Sequence, residues 1–332
     1  MPFRVAVLIP CYNEAVTIGK VVADFRAALP EAAIYVFDNN SRDGTAEAAL
    51  RAGALVRRET LQGKGHVVRR MFADIEADAY VLVDGDGTYE AAASPLMLRL
   101  LVDERLDMVT GMRTGEAADS FRRGHRLGNR VLTGIVRLLF GRRTSDMLSG
   151  YRAFSRRFVK SFPALVGGFE TETEFTVHAL ALQMPVGEVK TVYRGRPAGS
   201  QSKLSTWSDG ARILRTILLL VKEEKPFLLF SAIAALLFLA GLAFGIPVVI
   251  EFWATGLVRR LPTAVLASGL MVLAFLSFAS GVILDSVARG RREFKRLAYL
   301  AHPAVTVDGL AGLPPQTCRR SSFGSGNAPP PE

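Results

Sequence analysis

Cysteine is nearly absent from this 332-residue chain. Cys11 and Cys318 cannot build a disulfide framework, so a reducing, cytosolic setting is the default. A secretory signal is not expected either, because residues 1–9 are too short for one and alternate like a first strand. No internal repeat is visible. Charge is missing from two long stretches, 226–250 and 261–284. Each exceeds the roughly 20 apolar residues that cross a bilayer core. Only 251–260 separates them, so they predict a transmembrane hairpin whose outer ends share one side; a pair of buried core helices is the plainer alternative.

The rest of the chain is basic, with 41 Lys and Arg against 31 Asp and Glu, a net charge of +10. Nucleic acid, an anionic membrane surface and phosphorylated substrates would each suit that balance, and so would a simple cytoplasmic bias of Lys and Arg. The distribution is more telling than the total. Lys222 and Lys225 precede the first apolar stretch, and Arg289, Arg291, Arg292, Lys295 and Arg296 follow the second, whereas the loop offers only Arg259 and Arg260. The positive-inside rule therefore puts the N-terminal part in the cytoplasm, with two spans in the plasma (inner) membrane. Residues 207–221 mix Arg212 and Arg215 with Ile and Leu, which suits an amphipathic interfacial helix or one packed on the chain's own core. Four parts result: a cytoplasmic domain over 1–206, a juxtamembrane helix over 207–225, a hairpin over 226–285, and a basic then disordered tail over 286–332.

Within the first part, runs at 3–9, 33–38, 79–84 and 108–111 read as strands. Between them, 15–29, 45–53, 64–77 and 92–105 carry apolar residues at helical spacing. That alternation predicts an α/β fold with a mostly parallel sheet covered on both faces, and ligands beyond the carboxyl ends of its strands. The first strand runs into Pro10-Cys11-Tyr12-Asn13-Glu14, where a dinucleotide fold would need glycines. Gly63-Lys64-Gly65 lacks the upstream glycine and following Ser or Thr of a P-loop. A loop with an aromatic ring and side-chain acceptors can instead stack on and hydrogen-bond a nucleobase, with Asp38 accepting from a base N–H. Asp84-Gly85-Asp86 follows a strand, so its two carboxylates can face one hard divalent cation, although turns also collect Asp and Gly. The segment 113–160 is rich in Arg; Arg122 and Arg126 lie one helical turn apart and could clamp a phosphate, or form part of a solvated face.

Pro-Cys-Tyr-Asn-Glu, Asp-Asn-Asn-Ser-x-Asp-Gly-Thr, Gly-Lys-Gly and Asp-Gly-Asp, in this order, resemble family 2 glycosyltransferases of GT-A fold. Gly111-Met112-Arg113, Arg126-Leu127-Gly128-Asn129, the segment 145–152 and Ser202-Lys203-Leu204 are similar to the dolichol-phosphate mannose synthase and polyprenyl-phosphate glycosyltransferase branch. The resemblance covers about 5–221 and implies an enzyme moving a hexose from a UDP- or GDP-sugar to a polyprenyl phosphate. It implies that Pro10, Tyr12, Glu14 and Asp38 take the donor nucleoside, and that Asp84 and Asp86 hold Mg²⁺ or Mn²⁺. Arg113, Arg122 and Arg126 would receive the acceptor phosphate, with Asp146, Arg196 and Lys203 at the reaction centre. Two departures stand out: Gly87 replaces a frequently acidic or polar residue, so that a further metal ligand is either missing or supplied by Thr88, and the 196–203 segment is one residue longer than Arg-x-x-Gly-x-Ser-Lys.

An ionised lipid phosphate needs no strong base, so a single inverting displacement is expected. Asp146 would then orient Arg152 or a sugar hydroxyl, or form a buried pair with Arg152. Two spans are too few for a polymer channel, and the Gln-x-x-Arg-Trp signature of processive synthases is missing. Two competing readings remain: transfer to a glycolipid or polysaccharide hydroxyl, and a non-enzymatic basic module binding membrane or nucleic acid. The first reading needs the bilayer and the lipid acceptor as partners and no nucleic acid; it leaves a homo-oligomer open.

Overall fold

The computed structural model describes residues 3–114, 146–168, 170–195 and 222–305. Its centre is a seven-stranded sheet built from β1 (Val5–Cys11), β2 (Ala33–Asp38), β3 (Leu55–Arg58), β4 (Ala79–Leu82), β5 (Met108–Thr114), β6 (Arg152–Ser155) and β7 (Val186–Val192), in the order β3-β2-β1-β4-β6-β5-β7. Every pairing is parallel except those of β6, which runs antiparallel to both β4 and β5. The expected α/β sheet is present, with one antiparallel strand inserted near its middle.

Both faces of the sheet are covered, and period-two alternation decides which side chain goes where. Val7, Ile9 and Cys11 pack with α1 (Ala15–Ala28), α2 (Thr45–Arg51) and α4 (Ser94–Asp103). Ala6 and Leu8 face the opposite layer of α3 (Lys64–Asp74), α5 (Arg156–Ser161) and α6 (Thr171–Ala181). Phe72, Phe154, Phe158, Phe162 and Phe175 form the centre of that second layer, with the Phe154 and Phe158 rings stacked 4.6 Å apart. Pro10 is tolerated in β1 because β4 leaves β1 after Leu8, so Pro10 has a neighbouring strand on one side only.

Two long helices follow, α7 (Pro226–Thr255) and α8 (Leu261–Leu300), both long and apolar enough to cross a membrane. Their contact is a seam of small side chains. Ala267, Ala274, Gly281 and Ala288 are buried on α8, and Ala234, Gly241 and Val248 on α7, each series at seven-residue spacing. A Cβ on Gly281 would stand 2.9 Å from Phe230 Cβ, so the glycine sets how closely the helices approach. α8 runs 16 residues past the expected limit at 284 and meets the sheet domain. There the Tyr299 hydroxyl donates to Asp107 Oδ2 at 2.9 Å, beneath the Arg157 guanidinium, and Arg157 also pairs with Asp107.

Candidate active site

The parallel register brings the first strand ends together: Cys11 pairs with Asp38 across β1 and β2, and Leu8 with Leu82 across β1 and β4. Pro10, Tyr12, Glu14, Asp38, Asp84 and Asp86 therefore gather along one carboxyl edge. Tyr12 stands exposed at the rim, whereas Glu14 and Asp38 are buried. The Asn13 loop adopts a positive φ of 51° and is tied to the second loop: Asn13 N donates to Ser41 Oγ, and Asn13 Oδ1 accepts from Arg42 N, both at 2.9 Å. Asp38 Oδ2 accepts from Ser41 N at 3.3 Å. Its other oxygen, Oδ1, is buried with no hydrogen-bond partner among the described residues. A buried acceptor without a donor is costly, and a nucleobase N–H would satisfy it.

Gly63-Lys64-Gly65 opens α3 beneath this loop. Asn39 fixes it, accepting from Gly63 N at 2.7 Å while its amide donates to Glu59 O and Leu61 O. A Cβ at Gly63 would overlap Gly167 O, and one at Gly65 would overlap Val166 O, so both glycines answer to a close backbone approach. Lys64 is then delivered, buried, between two carboxylates, Asp84 and Glu172. Burial pushes the Asp84 carboxyl up to about 6 against the pull of Lys64, and Asp86 and Glu172 add to the rise. Asp84 keeps 31% of its side chain exposed, so it remains open to a ligand at this carboxyl edge.

Asp86 is more enclosed, and Thr88 orients it: Thr88 N and Oγ1 donate to Asp86 Oδ1 at 3.1 and 2.6 Å. Thr88 is itself fully buried, and its hydroxyl supports Asp86. Gly87 has a φ of +71°, a backbone reason for glycine at a position that is otherwise polar in the resemblance. Among the described residues no group of three or more His, Cys, Asp or Glu could hold a metal. Two hard carboxylate donors still fit Mg²⁺ or Mn²⁺, which takes its remaining ligands from water and a diphosphate.

At the carboxyl end of β5, Arg113 grips Asp146 in a two-pronged pair, Nε to Oδ2 and Nη2 to Oδ1, both 2.8 Å. Asp146 thus pairs with Arg113, not with Arg152 as one expectation had it. Arg152 is fully buried and holds the backbone of that loop instead, donating to Met147 O at 2.6 Å and Ser149 O at 3.0 Å, and to Thr176 Oγ1. Burial lowers its guanidinium to about 10. The loop closes on the cleft at Gly150, whose N–H donates to the Tyr89 hydroxyl and whose missing side chain leaves room for Asp84. Arg122, Arg126, Arg196 and Lys203 lie outside the described residues, as do the 207–221 segment and the tail beyond 305. Sequence reasoning passed over Glu172 and the use made of Lys64; the Gly-Lys-Gly turn was the available signal.

A seven-stranded, mostly parallel sheet with an acidic cleft along its carboxyl edge defines an α/β protein of GT-A type. A glucosyl-3-phosphoglycerate synthase from Mycobacterium tuberculosis, solved with Mn²⁺, UDP-glucose and phosphoglyceric acid, superposes with a TM-score of 0.56 at 23% identity over 66% of this chain and 79% of that one. Residues 6–162 match glycosyl transferase family 2. Glycosyltransferase AglJ of Haloferax volcanii is 33% identical over 303 residues, 90% of this chain and 99% of that protein. The dolichyl-phosphate hexose transferase of the same organism is 28% identical over 220 residues, 66% of this chain and 95% of that protein. The chain belongs to glycosyl transferase family 2.

Proposed function

We propose that this enzyme transfers a hexose from a UDP- or GDP-sugar to a polyprenyl phosphate on the cytoplasmic face of the membrane, by one inverting displacement. The observation that carries the acceptor is the union of cleft and anchor. α8 leaves its apolar stretch and docks on Asp107 at the amino end of β5, and Arg113, near the carboxyl end of the same strand, stands at the cleft, so one strand ties the two together. An acceptor whose tail stays in the bilayer and whose phosphate emerges at its surface suits that arrangement, and the name of the dolichyl-phosphate relative agrees with it.

In this reading Tyr12, Glu14 and Pro10 receive the nucleoside, and Asp38 Oδ1 accepts from its base. Asp84 and Asp86 would hold Mg²⁺ or Mn²⁺, which when bound neutralises the donor diphosphate. Lys64 keeps Asp84 in place from behind. A phosphate oxygen of the acceptor attacks the anomeric carbon, and the nucleoside diphosphate leaves with the bonding electron pair. Arg113, with Arg122 and Arg126, counters the repulsion between acceptor and donor phosphates, a positioning effect. Asp146 gives both oxygens to Arg113 and so acts by orienting it rather than by taking a proton. That argues against the hydroxyl-acceptor reading, which needs a free base.

The test is transfer by detergent-solubilised enzyme to undecaprenyl phosphate from a panel of UDP- and GDP-sugars, with Asp86→Ala alongside. Metal-dependent formation of one lipid-linked sugar, lost in the variant, is expected. Metal-dependent nucleotide binding without transfer to this lipid would overturn the acceptor.

A further inference from the structure

A second polar cavity, of about 220 Å³, lies where α8 meets the catalytic domain, between residues 181–183 and Arg289, Arg292, Glu293 and Arg296. It is separate from the cleft. α6 begins beside Lys64 with Glu172 and ends at this cavity, about 14 Å further along the helix axis. The three arginines stand at i, i+3 and i+7, one face of α8.

The charges around them are accounted for unevenly. Asp285 pairs with Arg289 at 3.1 Å. Arg291 and Lys295 are taken by Glu223 O and by the Glu224 carboxylate. Among the described residues Arg292 and Arg296 form no ion pair, and Arg292 Nε is buried without a hydrogen-bond partner. The carboxyl end of α6 offers about half a negative charge and Glu293 one more, which does not satisfy the donor forks of three guanidinium groups.

Depth along the helix suggests the ligand. The charge-free stretch of α8 ends at Leu284. At about 1.5 Å per residue, Arg289 stands about 8 Å beyond it, Arg292 about 12 Å and Arg296 about 18 Å. Headgroups occupy roughly the first 5–8 Å outside the hydrocarbon, and arginine side chains reach several ångströms back toward it. We propose that this cavity binds the phosphate of an anionic membrane phospholipid, whose diester oxygens take the open donors of Arg292, the unpaired guanidinium within reach of the headgroup layer, with Arg296 adding its charge from further out. The lipid would lock the catalytic domain against the bilayer at a fixed height. This rests on α7 and α8 spanning a membrane, and on neither the donor nor the acceptor of the reaction.

Native mass spectrometry of the delipidated full chain, titrated with phosphatidylglycerol and with phosphatidylcholine, tests it. The wild type should hold phosphatidylglycerol on the order of tenfold more tightly. The R292Q/R296Q variant should lose that preference, and R259Q/R260Q, altered in the loop at the opposite end of the hairpin, should keep it. Equal preference in all three proteins overturns the site. So does a wild type that shows no preference, a result that stands even if the double variant fails to fold. Displacement of the lipid by millimolar inorganic phosphate would assign the cavity to a free anion and overturn the lipid. Flotation with vesicles separates the two premises: a chain that floats with no vesicle overturns the membrane reading itself, whereas one that floats equally with neutral and anionic vesicles overturns only the headgroup site.

Discussion

Lys64 neutralises two carboxylates, Asp84 at the cleft and the buried Glu172, that would otherwise face each other. Lys64→Met should therefore cost about 3–5 kcal/mol of unfolding free energy, read by urea denaturation. Adding Glu172→Leu should recover part of the loss, since the stranded charge goes with it; strictly additive losses would contradict the pairing. His178 makes a second prediction. It is enclosed by Phe158 and Phe162, and burial, with Lys295 nearby, lowers its imidazole to about 3. A depressed imidazole is neutral in the folded chain and takes up a proton when unfolded. Its contribution is thus present above about 6.5 and is lost as the pH falls from there toward 3. His178→Gln should flatten the fall of the thermal midpoint between about pH 6.5 and 4.5. Asp38, Asp84 and Asp86 were legible because they follow apolar strands. Glu172 was not: nothing in Glu170-Thr171-Glu172-Thr173-Glu174 signals burial, yet all three carboxylates are buried, and Lys64 lies 108 residues away.

Helices α1 to α4 and strands β1, β2, β4 and β5 were legible from periodicity and turn residues. β3 was not, because Leu55-Val56-Arg57-Arg58 is an exposed edge with no alternation to read. β6 hid for another reason, since it is four residues long and opens with an arginine that sequence logic puts in water. Arg152 is inside because it clamps the Asp146 loop, and this predicts a local effect. Arg152→Met should speed amide hydrogen exchange over 146–150 far more than over β1, and uniform protection would contradict the clamp. Gly65→Ala offers a companion test at the α3 turn. Its Cβ has no room beside Val166 O, so a loss of about 1–3 kcal/mol is expected, whereas Gly19→Ala, with open space around it, should cost nothing.

For the whole molecule, the two apolar stretches announced α7 and α8, but nothing in their composition showed that α8 would continue past its last apolar residue and dock on Asp107. That contact joins three distant parts of the chain, Tyr299, Arg157 and Asp107, and only tertiary structure brings them together. It fixes α8 to the sheet domain, and the proposal of a lipid-borne acceptor rests on that contact. The most direct test compares undecaprenyl phosphate with undecaprenol as acceptor, for the wild type and for Asp146→Asn. Product should form from the phosphate alone, and Asp146→Asn should slow it on the order of tenfold to a hundredfold without abolishing it, because Arg113 loses its orienting partner. Transfer to the free hydroxyl, abolished by Asp146→Asn, would contradict the account and make Asp146 a general base.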